Sequence, residues 1–169
     1  MTRNKQGYLV HNYVRSRISW MIRRDMAEVQ QIEDSSFPNP WTETEFITCL
    51  RNRDCIGMVV IDDDVVIGFM IYELHKTRLH LLSMAVRPSH RRRGVATEMI
   101  QKLTSKLCFG RRGMIALEIR ESNLEAQLLF RKLGFRATRV LRDFYEETNE
   151  AAYLFQYRKA AAEECEPKE

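Results

Sequence analysis

Apolar residues recur along this chain at two periods, and the switching between them lays out a mixed fold. Seven stretches read as strands, because their apolar residues alternate with polar ones or run unbroken between turn signals: residues 18–23, 55–61, 65–73, 79–86, 114–120, 135–145 and 152–157. Four other stretches repeat at helical spacing. Met26, Val29 and Ile32 mark a helix running to about Asp34, and a second follows Thr42 to about Leu50, with Trp41 and Phe46 as its expected buried anchors. Val95, Met99, Leu103 and Leu107 mark a third, and residues 124–133 a fourth, closed by Gly134. Asp25 with Glu28, and Thr42 with Glu45, have the spacing of capping boxes. Ser35 to Pro40 breaks the first helix from the second, and Asp62-Asp63-Asp64 turns one strand into the next as a hairpin.

The element order is β-α-α-β-β-β-α-β-α-β-β. It predicts an α/β protein of the α+β kind, with a mixed, mostly antiparallel seven-stranded sheet and helices on both faces. The strand–helix–strand unit around the third helix is a crossover, so one strand pair is parallel. Residues 18–158 form the folded domain, 1–17 an N-terminal extension expected to be mobile, and 159–169 a frayed C-terminal tail.

Composition narrows the classes. The chain has 169 residues, 44% hydrophobic and 30% charged, which fits one soluble domain with a real core. Its longest apolar runs fall short of the roughly 18 residues that span a bilayer, and its basic start lacks the apolar segment of a secretory signal. No membrane role is expected. The net charge of +4 suits an anionic ligand without demanding nucleic acid. Cys49, Cys55, Cys108 and Cys165 form no CxxC pair and lack His at ligand spacing, so four free thiols in a reducing cytoplasm are expected, and no metal site.

Candidate chemistry begins at Arg91-Arg92-Arg93-Gly94-Val95-Ala96, a basic, glycine-containing turn that runs straight into a helix. The first turn of a helix leaves N–H groups without intrahelical partners and carries positive dipole charge, so such a turn can hold an anion. Gly94 permits close backbone approach and Ala96 does not block it. Arg-x-x-Gly-x-Ala alone is a common pattern, and a solvated turn reads equally well.

A second motif adds specificity: Asn123-x-x-Ala126-x-x-Leu129-Phe130-x-x-x-Gly134-Phe135, about 30 residues downstream with a strand between. Together the two motifs resemble those of the GCN5-related N-acetyltransferase (GNAT) family. The resemblance covers residues 18–158. It implies acetyl-CoA as the acetyl donor. In that family the parallel strands splay and the pantetheine arm lies in the gap. Backbone groups of Met84, Ala85 and Val86 would line that gap, and the loop Arg91, Arg92, Arg93, Gly94, Val95, Ala96 and Thr97 would hold the pyrophosphate. Asn123 would hydrogen-bond the pantetheine arm, and the helix carrying Phe130 would contact the cofactor's other side.

Within the family the chain is similar to the RimI type, which acetylates the N-terminal alanine of a small-subunit ribosomal protein. The similarity rests on Phe37-Pro38-x-Pro40-Trp41, on Leu117-Glu118-Ile119-Arg120-x-Ser122-Asn123, and on Arg142-Asp143-Phe144-Tyr145. It implies Glu118 as proton acceptor. A carboxylate inside an otherwise apolar strand fits that role, since acyl transfer needs a deprotonated amine. The chain departs from the type at Phe130, where the type carries a tyrosine proton donor. Phenylalanine has no proton to give. Either the thiolate leaves without an acid, or Tyr145 or water supplies one, or the chain is a divergent member of the type with a different substrate.

Glu146 and Glu147 beside Tyr145 would either attract a basic N-terminal peptide or polyamine, or form a solvated loop. Three readings stay open: an acetyltransferase for a protein N-terminus; one for a small amine such as a polyamine or aminoglycoside; and a CoA-binding module without catalysis. Nucleic-acid binding through Arg91 to Arg93 ranks last, for want of a stacking surface or recognition helix.

Overall fold

The structure, a computed structural model, describes residues 16–108 and 111–159. The expected extension and tail lie outside the described residues, except for Ser16, Arg17 and Lys159. Seven strands form one sheet in the order β1-β2-β3-β4-β5-β7-β6. They are β1 (Arg17–Trp20), β2 (Cys55–Asp62), β3 (Val65–Leu74), β4 (Arg78–Val86), β5 (Met114–Arg120), β6 (Arg136–Tyr145) and β7 (Glu150–Arg158). Four helices accompany them: α1 (Met26–Asp34), α2 (Glu43–Arg51), α3 (Val95–Thr104) and α4 (Leu124–Lys132). All strand pairs are antiparallel except β4 with β5.

The two sheet faces bury two separate cores. On one face Met99, Leu103 and Phe130 from α3 and α4 pack against Val60, Leu79, Ile115 and Leu117. On the other, Val29, Ile32 and Phe46 from α1 and α2 pack against Val59, Phe69 and Ile71. Phe46 is wholly buried, stacked edge-on to Phe69 and 5.4 Å from Trp41, a burial that contributes about 2–3 kcal/mol. Trp41 itself is only partly covered.

The helix ends follow local chemistry, with one correction. Thr42 and Glu45 form the expected reciprocal cap. The Asp25–Glu28 box does not form. Asp25 instead accepts from the Ile22 amide at the head of a short 3-10 turn, and Glu28 is drawn away to Arg87 and the Val66 amide. An ion pair to Arg87, just past the end of β4, outcompetes a local cap. Gly134 ends α4 at φ 88°, a conformation glycine adopts without steric cost.

The expectation of free thiols is also corrected. Cys49 near the end of α2 and Cys55 at the start of β2 form a disulfide, their Cα atoms 6.2 Å apart. Residues 52–54 make a tight turn, with Cys55 N–H donating to Asn52 O, and fold the chain back on itself. Linear spacing gave no sign of that return.

Candidate active site

The parallel pair is short. β4 and β5 are in register only through Arg78↔Met114, Leu79↔Ile115 and His80↔Ala116, although β4 runs on to Val86 and β5 to Arg120. A bulge in β4 falls where the ladder stops: Leu81 pairs with Tyr72 and Ser83 with Ile71, leaving Leu82 over. The extra residue bends β4, and the two strands part. Backbone groups along Met84, Ala85 and Val86 therefore keep β3 on one side and face the opening on the other. A ligand with amides of its own can satisfy them.

The opening leads to the basic turn. Arg92 and Gly94 take positive φ, 62° and 91°, which curls the backbone ahead of α3. The first helical bond runs from Glu98 N–H to Gly94 O, so the amides of Val95, Ala96 and Thr97 have no intrahelical acceptor. Gly94 has no capping side chain, and a Cβ there would meet nothing within 4 Å. This is an open nest of N–H groups at a positive helix end, a geometry that suits an anion. Arg92 and Arg93 are exposed beside it. Arg91 is used differently: its guanidinium donates to Val86 O and to Ser36 Oγ, tying the turn to β4 and to the α1–α2 loop.

Asn123 caps α4, accepting from Ala126 N–H at 3.1 Å. That bond fixes the side chain and leaves its NH2 group to donate elsewhere. Phe130 is 4% exposed and sits edge-on to Phe135 in the α3–α4 core.

Glu118 lies on the other face, just past the point where the strands separate. Its Oε2 is 2.6 Å from His80 Nε2. Sequence reading missed His80. It is a lone histidine in an apolar strand, and only the parallel register sets it diagonally across from Glu118. Glu73 faces His80 across the β3–β4 ladder, and His75 Nε2 is 3.0 Å from Glu73 Oε2.

Tyr145, at the end of β6, shares this face. The Arg120 guanidinium lies over its ring at 3.6 Å and bonds Glu150 at 3.0 Å. Burial pushes the Tyr145 phenol above its ordinary value; Arg120 opposes this, while Glu118 and Glu150 add to it. Hydrogen bonds from Ser122, and then Arg120, hold the Glu150 carboxyl below the usual range. Glu146 and Glu147 are exposed on the loop that follows.

Glu33 supports the rim. It is 2% exposed, accepting from the Trp41 amide at 3.0 Å and from Ser83 Oγ at 3.2 Å, and so pins the α1–α2 loop to β4. Burial raises its carboxyl above the ordinary value despite those bonds.

A sheet parted beside an open helix start, with a carboxylate where the strands separate, is an arrangement suited to a ligand with a long amide-bearing arm and a phosphate end. The acetyltransferase (GNAT) family model matches residues 26–135, and the chain belongs to that family. It is an N-acetyltransferase whose acetyl donor is acetyl-CoA. Its relatives include the [ribosomal protein bS18]-alanine N-acetyltransferase of Salmonella typhimurium, 29% identical over 76% of this chain and 86% of the relative. Among solved structures, the ribosomal-protein-S18-alanine N-acetyltransferase of Escherichia coli superposes with a TM-score of 0.78 at 23% identity, covering 88% of this chain and 97% of that one. NAA60 of Arabidopsis thaliana in complex with acetyl-CoA superposes at 0.75 with 19% identity, covering 85% and 98%. No helix among the described residues is long and apolar enough to cross a membrane.

Proposed function

We propose that this enzyme acetylates the α-amine of a protein N-terminus, with an alanine-led ribosomal protein as the acceptor class. The observation that carries the reading is the position of Glu118 at the mouth of the parted strands, together with the activity named for the Salmonella relative. A cytoplasmic location, where ribosomal proteins are made, belongs to the same reading.

The pyrophosphate of acetyl-CoA rests on the amides of Arg92 to Thr97, and its pantetheine arm bonds the free edge of Met84 to Val86 and the Asn123 amide. The acceptor amine comes from the opposite face. Glu118 accepts its proton, directly or through one water, while the nitrogen attacks the thioester carbonyl. The C–S bond then breaks and the thiolate takes a proton. Tyr145 is the proposed donor, since its phenol has a proton to give and it shares a face with Glu118. No covalent acyl-enzyme is involved. Glu146 and Glu147 draw a basic peptide toward the mouth.

The test is acetyl transfer to peptides beginning Ala, Ser or Met, some followed by basic residues, alongside spermidine and free lysine. Turnover confined to Ala-led peptides is expected. Turnover confined to small amines overturns the reading.

A further inference from the structure

We propose that Glu73, His75 and His80 form an inhibitory site for a divalent first-row transition ion, with Zn2+ as the natural probe. The three belong to one hairpin. Glu73 and His80 are directly opposed across β3 and β4, and His75 follows Glu73 by two residues with its amide still bonded to Arg78 O. Directly opposed residues of a ladder point to the same face, and His75 stands one residue past the end of β3 beside them. One ligand atom from each lies within 4.8 Å of the others.

The donor set is two imidazoles and one carboxylate, which suits Zn2+ and disfavours Ca2+ or Mg2+, whose sites are built from oxygen. A second observation points the same way. His75 Nε2 is buried and makes no hydrogen bond with any described residue, although Glu73 Oε2 is 3.0 Å away. The two groups lie close without hydrogen-bond direction, an arrangement that an ion held between them would satisfy. Arg112 donates to His75 O at 2.7 Å and fixes the backbone of that ligand. His80 Nε2 also touches Glu118, so an ion taken by the other ring nitrogen, Nδ1, would leave Glu118 as the outer carboxylate that orients the ligand ring.

The inhibitory part rests on the proposed role of Glu118. An ion on His80 engages the partner of Glu118 and sets positive charge beside the carboxylate that accepts the amine proton. Transfer therefore slows when the site fills.

The experiment titrates the purified full chain with Co2+, read by its visible absorption, with Zn2+ in competition. Wild type should bind one equivalent, and His75→Ala and Glu73→Gln should each bind at least about tenfold more weakly. Both variants are checked for native circular dichroism. Equal binding by wild type and His75→Ala, or no binding by wild type, overturns the site. This arm needs no enzyme activity, so it stands apart from the acceptor assay. A second arm follows acetylated peptide by mass spectrometry, because free CoA thiol itself binds zinc. Zn2+ should slow wild type and spare His75→Ala; equal inhibition of both overturns the inhibitory role.

Discussion

His80 Nε2 lies 2.6 Å from Glu118 Oε2, on the last in-register residue of β4 and two residues beyond the last of β5. The contact orients the carboxylate at the point where the sheet opens. Glu118→Gln keeps the shape and removes the proton acceptor. It should lower kcat by about 10² or more with KM for acetyl-CoA nearly unchanged. His80→Gln, which disturbs only orientation, should cost about tenfold in kcat. Steady-state kinetics on the preferred peptide separates the two. A Glu118→Gln enzyme at full kcat would remove Glu118 from the mechanism.

Gly94→Ala addresses donor binding. A Cβ meets no protein atom there, so its costs are the positive φ and obstruction of the anion nest. Stability should fall by about 1 kcal/mol, and KM for acetyl-CoA should rise several-fold with a smaller change in kcat. Thermal melts and acetyl-CoA titrations check this. An unchanged KM means the pyrophosphate sits elsewhere.

Tyr145→Phe removes the proposed acid and leaves a ring under the Arg120 guanidinium. The variant should fold as wild type and lose about tenfold or more in kcat. If kcat holds, water protonates the thiolate and Tyr145 only lines the acceptor path.

Glu33 gives a pH dependence of stability. Its raised pKa means that the folded state binds the proton more tightly than the unfolded chain. The stabilisation from that proton is fully present below the unfolded value near 4.5 and is lost as pH rises through the folded value. Glu33→Gln stays neutral throughout and still offers Trp41 an acceptor oxygen. Urea midpoints should therefore shift in favour of the variant, relative to wild type, as pH rises from 4.5 through the raised folded value. A difference that stays flat with pH contradicts the assignment.

Much of the site was legible in one dimension. Gly134 reads as the cap that closes the fourth helix, and it does so, while the cap that Asn123 supplies at the other end of α4 came only with the structure. Gly94 and Gly134 read as punctuation, and both take positive φ. Residues 114–120 alternate cleanly, and β5 has those bounds. Other residues misled because their local pattern competes with distant partners. Glu28 has capping spacing, yet Arg87 lies within 3.0 Å once α1 packs on the sheet. The contacts of Arg91 to Val86 O and Ser36 Oγ, which tie the basic turn to β4 and the α1–α2 loop, have no local signal at all.

By itself the sequence determined the element order, the single parallel pair and the glycine-bearing helix start, because hydrophobic period, caps and turn residues act over a few neighbours. Tertiary structure decided what register alone can place. It opened the strands at the Leu82 bulge, set His80 against Glu118 across 38 positions of chain, and gathered Glu73 and His75 behind them. Those contacts depend on which residue faces which across a ladder. A shift of one position reverses the facing of every side chain, and no local pattern specifies it.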